Sequence, residues 1–374
     1  MIQNYHHFTN YYLITVIVDR EKSKALVELA IELGVKPTFV ASGRGLMHGK
    51  QVGFFKLSGI SPSLDLLYLM VPGTHCDSIM TQLIAKGKLD HFGGGAIYAS
   101  HIHDFWLKGA SVFTESTITA TAKNDFEFQK DLIAITCISQ RGSAEEIARG
   151  AMQAGSPSPA ISFGYGHGIR DRLNFMLQLA INPKKELLEV VVGSAEAERI
   201  FEIMVDRGKL DQPAMGFIST RHVEKGLINT ISWQNTTPYP ATMEQIIKAI
   251  DQLQGNTNWR ASGTVQTSVK KERKKLTNLM GLNIIVKRGL GDAVSLAAME
   301  AGAGGTSVIY ANAYPQQAHA HTLEKSDERE IILASLAPTQ IEPIVKAVTS
   351  LEELGETPVM LYTYPIPEAL TYLK

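Results

Sequence analysis

The sequence predicts an α+β protein of three tandem ferredoxin-like units, each ordered βαββαβ, whose antiparallel sheets pack as an intramolecular pseudo-trimer. Three times, an apolar and β-branched run leads into an amphipathic helical pattern, which reaches Gly34, Gly155 or Gly302. In addition, Gly87-Lys88-Leu89-Asp90 recurs as Gly208-Lys209-Leu210-Asp211 at nearly the same offset within its unit. Three sheets packed around a common axis would bury the sheet faces that the helices leave uncovered.

The predicted elements follow one order in every unit. In the first unit they are 13–18, 22–33, 37–42, 64–71, 75–86 and 95–100. In the second unit they are 132–138, 143–153, 159–163, 186–192, 195–206 and 214–219. In the third unit they are 282–286, 290–301, 306–311, 329–335, 338–349 and 358–363.

The domain boundaries follow from these elements. The units cover residues 1–110, 128–225 and 281–374, and a linker with an extra helix covers residues 226–280. The third unit is degenerate, because Glu356-Thr357-Pro358 follows Gly355 where Lys-Leu-Asp is expected.

Composition excludes several classes of protein. The 374 residues carry 36 Lys and Arg against 37 Asp and Glu, so no broad basic face for nucleic acid is expected. The basic run Lys270–Lys275 is interpreted as a solvated helix face before the third unit, with nucleic-acid binding as the alternative. Only Cys76 and Cys137 are available for disulfides, which indicates a reducing compartment. No apolar run approaches the roughly 20 residues of a membrane span, so a soluble cytoplasmic protein is expected.

The motifs of the first unit resemble those of the nitrogen-regulatory PII signalling proteins. Gly43-Arg44-Gly45-Leu46-Met47-His48-Gly49 has the G-x-G-x-x-x-G spacing found at the base of the family's mobile loop. Gly87-Lys88-Leu89 is similar to the G-K-[IL] start of its nucleotide-binding loop, and Gly93-Gly94-Gly95 follows. The second unit is similar at Gly164-Tyr165-Gly166-His167 and Gly208-Lys209-Leu210, whereas the third resembles the family in topology only.

The resemblance implies a threefold ring within one polypeptide that binds ATP, ADP or another adenine nucleotide in clefts between units. It further implies a small-molecule effector and a protein target, such as a transporter, enzyme or regulator, in nitrogen regulation. Ala96 stands near the place of a family lysine, and Met47 aligns with a glutamine that organises magnesium and 2-oxoglutarate. A thioether does not ligate a hard cation, so the Mg-ATP and 2-oxoglutarate response is not expected.

The candidate ligand-binding residues are glycines and lysines at loop bases. Glycine lets the backbone approach a ligand closely, successive amide groups can bind an anion, and lysine adds a positive charge. The alternative is that these glycines only make turns between strands. The candidates are Gly43, Gly45, Gly87, Lys88, Gly93, Gly94, Gly95, Gly164, Gly166, Gly208 and Lys209.

Other chemistries have weaker signals. His101-x-His103 and His319-x-His321 would each place two imidazoles on one strand face, where zinc or copper could bind; the alternative is exposed surface histidines. Cys76 lies at a helix start, where a thiol pKa can fall, but it has no visible base beside it. No catalytic motif with adequate context is present, so a non-enzymatic protein is expected. A divalent-cation tolerance-like metal binder, an enzyme using the inter-unit cleft and a structural protein with decayed sites are the alternatives.

Overall fold

The computed structural model describes most of the chain. The described residues are 5–46, 51–52, 55–56, 63–109, 111–114, 126–168, 183–229, 253, 273–314 and 327–372.

The first third of the chain folds into strands and two helices. They are β1 (His6–Phe8), β2 (Tyr11–Asp19), α1 (Arg20–Glu32), β3 (Thr38–Arg44), β4 (Gln51–Val52), β5 (Phe55–Lys56), β6 (Ser63–Pro72), α2 (Cys76–Gly87), β7 (Gly95–Ile102) and β8 (Asp104–Lys108).

The remaining two thirds repeat the alternation of strands and helices. The second third contains β9 (Leu132–Gln140), α3 (Ala144–Gln153), β10 (Ala160–His167), β11 (Lys184–Gly193), α4 (Ser194–Gly208), β12 (Gly216–Val223) and β13 (Lys225–Asn229). The last third contains β14 (Leu276–Lys287), α5 (Gly291–Glu300), β15 (Thr306–Tyr314), β16 (Asp327–Leu336), α6 (Pro338–Thr349) and β17 (Val359–Thr371).

Strand pairing within the thirds is antiparallel and follows one pattern. The neighbours run β7-β2-β6-β3, then β12-β9-β11-β10, then β17-β14-β16-β15. This order leaves β3, β10 and β15 at the edge of their own third. An edge strand presents unpaired N–H and C=O groups that can pair with another strand.

The three edge strands pair with one another in one common register. Arg44, Tyr165 and Asn312 occupy equivalent positions, because each pairs with the residue two before the acid Asp65, Glu186 or Glu330. Across the junctions, Arg44 pairs with Ile161, Tyr165 with Val308, and Asn312 with Val40. The unpaired groups of each edge are therefore used by the next third.

The predicted fold class is wrong, because the thirds do not form separate sheets. The strands make one 15-stranded sheet, and nine of them close into an antiparallel barrel in the order β17-β12-β9-β11-β10-β3-β15-β16-β14. Among the described residues, strands account for 48% and six helices are present. The description as three ferredoxin-like, PII-like units packed as a pseudo-trimer is thereby corrected, and nothing in this fold supports nitrogen regulation.

Apolar side chains fill both sides of the sheet. The inner face carries one core that draws on all three thirds, with Tyr98, Phe39 and Phe105 as its largest fully buried members. On the outer face, each pair of helices covers a core of its own third. Alternate residues of a strand point to opposite faces, so the strands are apolar on both sides.

Arg273 and Lys275 fasten the start of β14 to the surface of α4. The guanidinium of Arg273 is 8% exposed; its Nε lies 3.3 Å from Asp211, and its other nitrogens contact Glu202 and Asp206. The ammonium of Lys275 donates to Glu198 at 2.7 Å. These two members of the basic run are therefore neutralised by carboxylates.

Several predicted features lie outside the described residues. They include residues 230–252 and 254–272 of the linker that was predicted to contain an extra helix, and Met47, His48 and Gly49 of the glycine motif. Within the described residues, none of the helices has the length and apolar character that crossing a bilayer requires.

Gly164 should be required for the junction between β10 and β15. A Cβ atom at this residue would lie 2.1 Å from the carbonyl oxygen of Val308, so even alanine must push the two backbones apart. We expect Gly164→Ala to destabilise the protein by about 1–3 kcal/mol, the usual range for overpacking. Thermal unfolding of the ligand-free protein followed by circular dichroism measures the change.

Gly193→Ala is the matched control, because a Cβ there meets no atom within 4 Å and its φ is −62°. Equal melting temperatures for the two variants would contradict the close approach at Gly164.

Candidate functional site

The Gly-Lys-Leu-Asp landmark forms the end of a helix. Lys88 and Lys209 both adopt the left-handed conformation, with φ of 51°, directly after α2 and α4. The next residues, Leu89 and Leu210, are fully buried and donate their N–H groups to helix carbonyls at 3.0 Å. Gly87 packs against Leu89, because a Cβ at Gly87 would lie only 3.0 Å from the Leu89 side chain. The repeat of this motif is explained by helix termination.

The triple glycine closes a compact turn. Gly93 donates its N–H to the carbonyl of Asn229 at 2.8 Å, and Gly94 donates to His91 at the same distance. A Cβ at Gly94 would lie 2.4 Å from the Lys88 carbonyl oxygen, and one at Gly95 would lie 2.4 Å from that of Ile17. The two N–H groups that a phosphate would require at Gly93 and Gly94 already have protein acceptors.

The remaining glycine candidates lie at the junctions between thirds. Gly43 approaches the carbonyl oxygen of Ile161, from which a Cβ would lie 2.8 Å, and Gly45 directly follows β3. Gly164 makes the corresponding approach at the junction of β10 with β15. Gly208 ends α4 and belongs to the helix-ending motif instead. The predicted candidates are thus distributed over several places in the fold.

In the second and in the last third of the chain, a buried carboxylate lies at the start of the first helix. Glu186 accepts hydrogen bonds from the N–H groups of Gly142 and Ala144, at 2.8 and 3.1 Å. Glu330 accepts from those of Gly289 and Gly291, at 3.0 and 2.7 Å. A helix N-terminus favours negative charge, and here the protein itself supplies it.

The side chain that reaches each carboxylate from the neighbouring third differs between the junctions. Arg44 Nη2 lies 3.4 Å from Glu186 Oε1, and the guanidinium also lies over the ring of Phe163. At the equivalent position, Tyr165 Oη lies 3.5 Å from Glu330 Oε1. At this second junction there is a cleft of about 360 Å³.

We call this space the β10–α5 cleft. Its walls come from β10, the start of α5, and strands β15 and β16. Its lining is Tyr165, Gly166, His167, Pro183, Gly289, Asp292, Tyr310 and Glu330. Of the candidate ligand-binding residues, Gly166 lies in this lining.

Aromatic rings and carboxylates dominate the β10–α5 cleft. The rings of Tyr165 and Tyr310 lie 5.7 Å apart and tilted by 37°, and His167 meets Tyr165 edge-on at 5.2 Å. His167 Nε2 lies 3.1 Å from a carboxylate oxygen of Asp292. Glu330 is only 4% exposed. The guanidinium of Arg288 lies over the Tyr310 ring, 4.7 Å from its centroid. The cleft therefore offers the ring of Tyr165 and hydrogen-bond acceptors, with a cation beside Tyr310.

Both tyrosines of the β10–α5 cleft remain protonated at neutral pH. Burial raises the pKa of Tyr165, and the charges of Glu330 and Asp292 raise it further. Burial and the charge of Glu330 likewise raise the pKa of Tyr310. Their hydroxyl groups thus remain neutral.

The described histidines that were candidates for metal binding contact a carboxylate and an aromatic ring. His103 Nδ1 lies 2.7 Å from Asp104, and His101 meets the ring of Tyr12 edge-on at 5.3 Å. His319 and His321 lie outside the described residues. Among the residues that the structure does describe, no group of three His, Cys, Asp or Glu side chains is placed to hold a metal ion.

The cleft residues that sequence reasoning missed are Asp292, Tyr310 and Glu330. One signal was available for Glu330. It is an acid in an apolar strand, and Asp65 and Glu186 stand at the equivalent positions of the other strands. An acid retained at one position of three diverged copies indicates a buried role that has its own partners.

The thiols should be inert in the native protein. Cys76 is 1% exposed, and burial raises its pKa from 9.0 to about 12, opposite to the fall considered for a helix start. Cys137 is also buried, which raises its pKa. Since the thiolate is the reactive form, we expect a chromogenic disulfide reagent at pH 8 to detect no thiol before denaturation and two afterwards. Rapid reaction of either thiol in the native protein would contradict this assignment.

Comparison with known proteins assigns this chain to no family. No family model matches the chain, and no curated protein matches it. Among solved structures, an aspartate kinase from Synechocystis is similar over 96% of this chain, with 8% identity and a TM-score of 0.20. The chain spans 44% of the length of that kinase. A likeness of this size supports no inference about fold or activity.

Proposed function

We propose that this protein is a ligand-responsive binding protein whose ligand occupies the β10–α5 cleft. The ligand is a planar heterocycle that carries N–H donors, a class that includes adenine nucleosides and nucleotides. The observation that carries the proposal is the buried carboxylate of Glu330 beside the rings of Tyr165 and Tyr310. Aromatic faces stack on a heterocycle, and carboxylates accept hydrogen bonds from its amino groups.

The electrostatics of the cleft favour the base over the phosphates. The N–H groups at the start of α5 already bind Glu330, so they do not provide an anion site. Asp292 adds a second carboxylate to the lining. A phosphate placed against these groups would meet like charges, whereas the exocyclic amine of a base would meet acceptors.

The difference between the junctions supports a single site of this kind. Where Arg44 stands, a guanidinium reaches Glu186 and is also 4.0 Å from Glu145. Where Tyr165 stands, a neutral ring leaves Glu330 with acceptor capacity facing the cleft. Divergence at this one position thus supports ligand binding at the second junction.

The position of the β10–α5 cleft offers a route from ligand to partner. His167 at the end of β10 and Pro183 just before β11 both line it. These residues flank the connection 169–182, which lies outside the described residues. A ligand that contacts both His167 and Pro183 would alter the surface at the end of β10 and the start of β11, to which a protein target would bind. The two free, buried thiols fit the reducing cytoplasm as the place of action.

Calorimetric titration with adenosine, AMP and ATP tests the proposal. We expect adenosine to bind with a Kd below about 1 mM. ATP should bind no more tightly than adenosine, because its phosphates gain nothing from the acidic lining. If none of the three compounds produces heat of binding or a rise in melting temperature, the proposal is overturned.

Tyr165→Arg should close the β10–α5 cleft without unfolding the protein. The new guanidinium can pair with Glu330 as Arg44 pairs with Glu186, and it would occupy the space of the ligand. We expect adenosine affinity to fall at least about tenfold, which corresponds to about 1.4 kcal/mol, with the melting temperature retained.

Tyr372→Arg is the control for this variant. Tyr372 is exposed and directly follows β17, which pairs with none of β10, β15 and β16, so an arginine there lies outside the β10–α5 cleft. Unchanged adenosine affinity in Tyr165→Arg would show that the ligand does not occupy this cleft.

A further inference from the structure

At the first junction, two acids and an aromatic ring hold the guanidinium of Arg44. Its Nη2 lies 3.4 Å from Glu186, and its Nη1 lies 4.0 Å from Glu145. Its carbon Cζ lies 5.9 Å from the centre of the Phe163 ring. Carboxylates and aromatic faces are groups that bind a guanidinium in proteins. The chain therefore contains a guanidinium site that it occupies with its own arginine.

The same three positions recur around the β10–α5 cleft. Glu330 is the counterpart of Glu186, because each accepts from two N–H groups at the start of its helix. Across the strands, Tyr310 pairs with this acid, as Phe163 pairs with its counterpart. Asp292 is the second residue of α5, which is the place that the other acid has in α3. The two acids and the ring of the last third all line the cleft.

At the second junction, uncharged residues replace both arginines of the first. Tyr165 stands at the position of Arg44, as the strand register shows. In α3, Arg149 donates at 2.8 Å to the acid four residues before it. The corresponding residue of α5 is Leu296, which is exposed. Acids that remain without their arginines favour a ligand that brings a positive charge.

The other charged groups nearby leave this preference in place. Arg288, which lies over the Tyr310 ring, is paired with Glu328 at 3.0 Å. Neither Arg288 nor Lys184, at the start of β11, is among the residues that line the cleft. His167 contacts the carboxylate of α5 but carries charge only when it is protonated. A cation that enters the cleft therefore meets two carboxylates and no lysine or arginine in its lining.

We infer that the β10–α5 cleft recognises a guanidinium group, which the ligand brings in place of the Arg44 side chain. The inference rests on the proposed function for the location of the site, and it names the group that supplies the N–H donors. The planar cation donates to the carboxylates of Asp292 and Glu330, and the ring of Tyr165 covers the part of the ligand that carries it. A heterocycle with a guanidine unit satisfies both descriptions of the ligand.

Calorimetric titration of the intact protein at pH 8 with phenylguanidine and phenylurea tests the inference. The two probes have nearly the same shape, but phenylguanidine is a cation, whereas phenylurea is neutral and has an oxygen in place of one nitrogen. We expect phenylguanidine to bind with a Kd below about 1 mM and at least about tenfold more tightly than phenylurea. A smaller ratio, or no binding of phenylguanidine, would overturn the inference.

Adenosine, titrated in parallel, separates this inference from the proposed function. If adenosine binds but phenylguanidine binds no better than phenylurea, the inference alone is wrong. If phenylguanidine binds as expected but adenosine, AMP and ATP do not, the proposed heterocycle is wrong and the guanidinium site stands.

Asp292→Asn tests the charge at the site itself. The side chain of Asp292 is 77% exposed, so the variant should fold. We expect its affinity for phenylguanidine to fall at least about threefold, the size of an exposed ion pair, and its affinity for phenylurea to change less than about twofold. Glu145→Gln, at the equivalent position of the first junction, is the matched control and should change neither affinity. Equal effects on the two probes, or equal effects of the two variants, would overturn the inference.

Discussion

The pairing of three edge strands in one register is the constraint on which the rest of the structure depends. Because β3, β10 and β15 pair with one another, the exposed edge of each third disappears and the sheet can close on itself. Closure brings inward-facing side chains from all thirds into one core. It also sets Arg44 beside Glu186 and Tyr165 beside Glu330, and the β10–α5 cleft lies at the second of these junctions.

One repeated framework therefore carries different chemistry at each junction. The acids Asp65, Glu186 and Glu330 stand at equivalent positions of β6, β11 and β16, whereas the equivalent positions of the edge strands hold Arg44, Tyr165 and Asn312. The arginine satisfies its acid with a charge, whereas the tyrosine leaves room beside Glu330. Divergence at one register position is enough to make one junction structural and another a candidate site.

Much of the local structure could be predicted from the sequence, whereas the architecture could not. The strand predicted at 13–18 lies within β2, because its β-branched run has the pattern of a strand buried on both faces. Periodicity within a strand does not reveal which edges will pair. The available signal was Gly164, a glycine inside a strand, which marks a close approach of another backbone.

The candidate site could not be predicted from local sequence patterns either. The loop of Gly93 and Gly94 has the glycine-rich pattern of an anion cradle, but the N–H of Gly93 donates to Asn229 at the end of β13 and that of Gly94 donates to His91 within the turn. Tyr310 and Glu330 are paired within the last third, but Tyr165 meets them only through the junction of β10 with β15, so sequence spacing holds no information on that proximity.

The placement of β17 has a consequence for biosynthesis. This strand pairs with β14, β12 and β8, and it follows all of them in chain order. The barrel therefore has an open seam until the ribosome has delivered residues 359–371. Until then the inner core is exposed along that seam, and the nascent chain is at its most vulnerable to misassociation and most in need of chaperone protection.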